Sequence, residues 1–241
     1  MSKVLKKLNN RLILVGVAHV LPKSMAEVRE TISKEKPEVV GVELCPSRYL
    51  ILTSRARGSL GKPQGGQLQS TVFSRLIYLL QKRVSQQTGM PAGEEMLTAV
   101  NSAREIGARV ELLDQDINLT LQRLVSRMGL REKMRLGLEL LLAFVPFGNR
   151  VKLETVMEEQ VIGVLLAELK RTSPTSYEVL IQERDEFMAA KIERLVAASS
   201  GKVVCVVGAG HIPGIYRQLA AKAKKGLIRP WSTFQISWQQ F

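Results

Sequence analysis

At 241 residues, 45% of them hydrophobic, the chain can bury the core of one sizeable domain, and no run reaches the roughly 18 apolar residues of a membrane-spanning helix. Thirty-five Lys and Arg against 22 Asp and Glu give a formal charge of +13. Acids are absent from Met1 to Ala26, from Leu44 to Gly93 and after Glu193, which suits an anionic partner and says nothing of fold.

In chain order, Leu12 to Val17 reads as a strand, and Lys23 to Lys34 as a helix with Met25, Val28 and Ile32 on one face, stopped at Lys36-Pro37. Glu38 to Leu44 is a second apolar run at the spacing of a βαβ unit. Ser54 to Ser70, rich in Gly, Ser and basic residues, reads as a loop, and Thr71 to Val84 as a helix. Pro91 and the acids Glu94 and Glu95 open a further helix that Gly107 ends, before a third strand over Ala108 to Asp114. From 117 to about 200 the apolar residues recur mostly at helical spacing, with breaks near Pro146-Phe-Gly148 and Ser173-Pro174. Lys202 to Val207 returns to strand, followed by a helix and an aromatic tail over Pro230 to Trp238. The expectation is one α/β domain over 1–241, a largely parallel central sheet flanked by helices, with a helical excursion before the last core strand.

The only two histidines each close a Gly-x-x-His box after an apolar run, at Gly16-Val-Ala-His19 and Gly208-Ala-Gly-His211. Such runs break where strands leave a sheet, and ligands of open α/β sheets gather at that edge. Glu43 and Asp114 end two other predicted strands. Two imidazoles and a carboxylate, His19, His211 and Glu43, form a common ligand set for zinc, manganese, cobalt or ferrous iron. A strand-end histidine that merely bonds a loop is the structural alternative. Glu95 and Asp114 are candidate general bases, or else a helix cap and a salt-bridge partner. Arg48, Arg123 and Arg184 could clamp an anionic group or steady the carboxylates, or simply meet solvent. Cys45 could act as a nucleophile only with a histidine nearby, such as His19; both cysteines otherwise read as small buried hydrophobes.

Two imitations fail. Val207-Gly-Ala-Gly-His-Ile-Pro-Gly214 has its third glycine one place late for a dinucleotide fingerprint and no following acid, and Gly58-Ser-Leu-Gly61-Lys62 has the wrong spacing for a phosphate loop. No signal peptide is read, and two cysteines give no disulfide framework.

Taken in order, Gly16-Val-Ala-His19-Val, Glu43-Leu-Cys-Pro-Ser-Arg48-Tyr, Gly93-Glu-Glu-Met96, Leu113-Asp-Gln-Asp-Ile117 with Thr120 and Arg123, Glu183-Arg-Asp185, and Val206-Val-Gly-Ala-Gly-His211-Ile-Pro-Gly214 resemble the TraB family of pheromone-shutdown proteins, which is similar to the Tiki and GumN proteins. The resemblance implies an α/β domain in which both His boxes and a glutamate form a metalloprotease-type site. His19 and His211 match the boxes, Glu43 the acid after the second strand, and Glu95, Arg123 and Arg184 the interior polar positions. Gln115 stands where a basic residue is expected between two aspartates, and the hydrophobic C-terminal membrane region of many members has no counterpart here.

The expected function is a metal-dependent hydrolase, a peptidase acting on a small peptide or exposed segment with a Mn, Co or Zn ion. The alternative is a regulatory module that binds a peptide or anion without turnover. The expected location is cytoplasmic, with an anionic membrane surface and a homodimer as further candidate partners. Nucleic acid ranks last, for want of a stacking motif or a known module.

Overall fold

The computed structural model describes residues 4–8, 11–17, 22–56, 93–135, 159–224 and 234–235. The expected loop over 57–70, the helix at Thr71 to Val84, the apolar run Leu136 to Phe147 and His19 lie outside them.

A six-stranded sheet organises the fold. Its strands and helices follow in the order β1 (Val4–Leu8), β2 (Leu12–Val17), α1 (Pro22–Glu35), β3 (Val39–Val42), α2 (Pro46–Ala56), α3 (Glu94–Glu105), β4 (Arg109–Leu112), α4 (Ile117–Arg127), α5 (Glu159–Thr172), α6 (Pro174–Tyr177), α7 (Glu183–Ala198), β5 (Val203–Gly208), α8 (Ile212–Lys224) and β6 (Phe234–Gln235). The spatial order is β4-β3-β5-β2-β1-β6. The four strands β4, β3, β5 and β2 are mutually parallel, while β1 and β6 add antiparallel pairs at one edge. The largely parallel sheet flanked by helices is therefore observed. Two edge pairings were not foreseen: Val4–Leu8 lacks clean apolar alternation, and Phe234–Gln235 is too short to be recognised from pattern alone.

The strands read as unbroken apolar runs because both faces are covered. Leu12, Leu14, Val203, Cys205 and Val207 face α7 and α8, where Met188, Ile192, Ile212, Ile215 and Leu219 meet them. The alternate residues Ile13, Val15, Val17, Val204 and Val206 face α1 and α3 through Val28, Ile32, Met96, Ala99 and Val100. Met25 is only half-buried, so Val28 and Ile32 carry the apolar face of α1. Each such side chain contributes about 1.5–3 kcal/mol by leaving water.

Local chemistry ends the helices where expected. Lys36 adopts a positive φ of 43° before Pro37, closing α1. Gly107, at φ 73°, ends α3 in a conformation that favours glycine. The Asp116 side chain accepts from the Asn118 N–H at 2.7 Å and caps α4. One boundary is corrected: residues 54–56, read as the start of a loop, belong to α2.

Between Tyr177 and Glu183 the chain makes a five-residue π-helical turn, Glu178–Gln182, which runs directly into α7. Such turns are rare and change the direction in which the residues after them point. Val179 from this turn packs with Leu124 and Met128, joining α4 to the excursion.

Candidate functional site

Strands β2 and β5 are adjacent and parallel, with Val17 opposite Gly208 at their ends. The helix after β2 covers one face of the sheet and the helix after β5 covers the other. A crevice opens where successive helices diverge in this way, outside the carboxyl ends of the strands. Glu43 follows β3, Asp114 follows β4, and His211 follows β5 through a single 3-10 turn, Ala209–His211. All three are brought to this edge.

The excursion supplies the other side of the cluster. Arg184 and Asp185 are consecutive residues of α7, and both enter the site. The Arg184 guanidinium donates from Nε to Asp114 Oδ1 at 3.0 Å and from Nη2 to Asp114 Oδ2 at 2.8 Å, and Nη2 also donates to Glu43 Oε1. Asp185 Oδ1 lies 2.6 Å from His211 Nδ1. The circuit closes between His211 Nε2 and Glu43 Oε1, 3.5 Å apart. Glu43 Oε2 accepts the backbone N–H of Gly208 at 2.6 Å, tying the carboxylate to the start of the second His box.

Glu43, Asp114, Asp185 and His211 are 4–6% exposed and the Arg184 side chain 15%, so their charges meet little solvent. Burial opposes the charge of Arg184, but hydrogen bonding to Asp114 and the negative fields of Glu43 and Asp114 outweigh it and raise its pKa above the ordinary arginine value. Burial dominates at Asp185: its carboxyl is pushed up from the usual range, against the lowering contributions of His211 and Arg184.

The remaining predicted residues are placed as follows. Glu95 is buried in the first turn of α3. Arg48 is half-buried in the first turn of α2 and makes no ion pair among the described residues. Its neighbour Ser47 donates to Asp116 Oδ2 at 3.2 Å. Arg123 stands apart from the His211 cluster and pairs with Glu183 at 3.0 Å. Cys45 is buried with Sγ 3.2 Å from the Ser47 hydroxyl, and Cys205 lies within the sheet core. Among the described residues no group of three or more His, Cys, Asp or Glu is arranged as a metal cage.

Asp185 is the site residue that pattern reasoning passed over. Its signal was the acid beside Arg184 in Glu183-Arg-Asp185, which is informative only once the π turn and the approach of α8 are known. Gly214 belongs with it, because a β-carbon there would lie 1.8 Å from Asp185 Oδ2.

A three-layer α/β/α protein with a buried carboxylate–imidazole–arginine cluster at the strand ends is the class defined by these features. The chain belongs to the TraB/PrgY/gumN family, whose family model it matches over residues 2–229. It is 35% identical over 219 residues to an uncharacterized protein of Methanocaldococcus jannaschii, covering 86% of this chain and 52% of that protein. It is 29% identical over 233 residues to the TraB domain-containing proteins of Homo sapiens and Mus musculus, covering 86% of this chain and 62% of each. The chain thus spans between about half and three-fifths of the length of these relatives. No helix among the described residues is long and apolar enough to cross a membrane.

Proposed function

We propose that the strand-end cluster is the centre of a metal-dependent hydrolase acting on a peptide. The observation that carries this reading is the pairing of His211 with two carboxylates. With the ring proton placed on Nδ1, towards Asp185, Nε2 is an acceptor that faces Glu43 Oε1 across 3.5 Å. An acceptor facing an anion inside a protein calls for a positive species between them: a second proton on the ring, or a cation.

The donor set fits a divalent ion. An imidazole nitrogen and a carboxylate oxygen, the donor types such an ion takes, face each other here as His211 Nε2 and Glu43 Oε1. A histidine whose other nitrogen is held by a carboxylate is also the usual form of a metal-binding imidazole. Glu43 and His211 would hold the ion, of Mn, Co or Zn type, with His19 as the third ligand. Such an ion acidifies bound water and polarises a carbonyl.

The other residues then divide the work. Asp185 fixes the tautomer and direction of His211. Arg184 neutralises Glu43 and is itself held by Asp114, whose two oxygens it engages. Asp114 therefore serves Arg184, and Glu95 is the better candidate for the general base. Arg48 is the arginine left to orient substrate.

Metal analysis of protein purified without added metal tests this reading, repeated with His19→Ala and His211→Ala. About one equivalent of bound ion in the wild type, lost in both variants, is expected. A wild type that holds no ion and gains none on reconstitution overturns it. The pairing of Glu43 with Arg184 favours a second reading, a binding module whose charges are already satisfied. In that case a peptide raises the melting temperature, while digests with Mn, Co or Zn stay blank.

A further inference from the structure

A cleft of about 320 Å³ opens on the α7–α8 side of His211. Asp185, Gly210 and Gly214 line it together with Lys170 from α5, Glu186 from α7 and Arg217 from α8. That volume lies at the lower end of the range for small-ligand pockets, room for a short segment and not a folded domain.

We propose that this cleft binds the acidic side chain of a peptide, with Lys170 and Arg217 as the residues that select it. This deepens the peptide-hydrolase reading and rests on it for the identity of the ligand as a peptide.

The charges of the lining point the same way. Asp185 is engaged by His211, and Glu186 Oε1 accepts from the Gln218 amide at 3.4 Å. Lys170 is steadied over the Tyr177 ring, 5.6 Å from its centroid, which leaves the ammonium free of any carboxylate among the described residues. Arg217 makes no ion pair among the described residues, and nothing after Glu193 in the sequence is acidic. The wall formed by α8 is thus cationic, and the fork of Arg217 suits a planar carboxylate. Glu186, also in the lining, opposes an anionic guest by its charge.

Two fluorescein-labelled peptides serve as probes, acetyl-Ala-Ala-Glu-Glu-Ala-Ala and its Gln-Gln counterpart, read by anisotropy at physiological salt. A tenfold or greater preference for the Glu peptide is expected. Lys170→Ala with Arg217→Ala should reduce it to the level of the Gln peptide, and Glu186→Gln should tighten it severalfold. A control pair on the exposed side of α1, Arg29→Ala with Lys34→Ala, measures general attraction to a basic protein and should change the preference little. Equal binding of the two probes by wild type, or an equal loss in the control pair, overturns the proposal. Melting curves of each variant confirm that the exposed substitutions leave the fold intact. Anisotropy requires neither metal nor turnover, so a blank peptide digest and a failed titration remain separate results.

Discussion

Asp185 occupies the space in which a side chain at Gly214 would begin: a β-carbon there would stand 1.8 Å from Oδ2. The obstacle is a short carboxylate already committed to His211, not the loose end of a long side chain. Gly214→Ala should therefore push Asp185 off His211. The expected cost is about 1–3 kcal/mol in urea denaturation, as for other overpacked sites. The Nδ1 proton resonance of His211 should shift or vanish with it, whereas Gly129→Ala, where a β-carbon meets nothing within 4 Å, should leave that resonance unchanged.

Arg184 stands between Glu43 and Asp114, and its removal leaves two buried carboxylates without their cation. Arg184→Ala should destabilise the fold by about 3–5 kcal/mol. Arg184→Lys keeps the charge but cannot fork onto both oxygens of Asp114, so it should recover only part of that loss. Paired denaturation curves give both numbers.

Burial opposes ionisation of Glu132, yet hydrogen bonds from the Ser173 hydroxyl and from Thr175 outweigh it and hold its pKa below the ordinary glutamate value. A lowered pKa stabilises the fold above the ordinary value and loses that contribution as pH falls through the folded one. Glu132→Gln should therefore be less stable than wild type at pH 7, and the difference should shrink towards about pH 3, below the usual glutamate range.

Burial raises the Cys205 thiol to about 12, so near pH 8 only about one molecule in ten thousand carries the thiolate. Neither cysteine should react with a disulfide reagent in the native protein, since both are fully buried. Two thiols should titrate promptly in denaturant. Rapid native labelling of Cys45 would instead support a nucleophilic role for it.

The parts of the fold that follow from apolar period were legible in the sequence. Leu12–Val17, Val39–Val42 and Val203–Gly208 are short β-branched runs bounded by turn signals, and they form the centre of the sheet. Glu43, Asp114 and His211 could be placed at strand ends because each lies within three residues of the end of an apolar run. Asp185 could not. It reaches His211 from the middle of a helical region 26 residues upstream in sequence, by way of a π turn that leaves no period to read. Edge strands β1 and β6 were hidden for the opposite reason: at an edge, pairing comes from backbone groups, and the side-chain pattern constrains it weakly.

The peptide bond between Arg184 and Asp185 joins the two charge systems of the site, with Arg184 serving Glu43 and Asp114 while Asp185 serves His211. One residue removed from Glu178–Gln182 would turn everything downstream by about 100° about the helix axis. Both side chains would swing away together, and neither could be restored by adjusting the other. Length is therefore a constraint of its own in this stretch: a substitution there leaves the register of Arg184 and Asp185 in place, whereas a single-codon deletion should disconnect the whole centre at once.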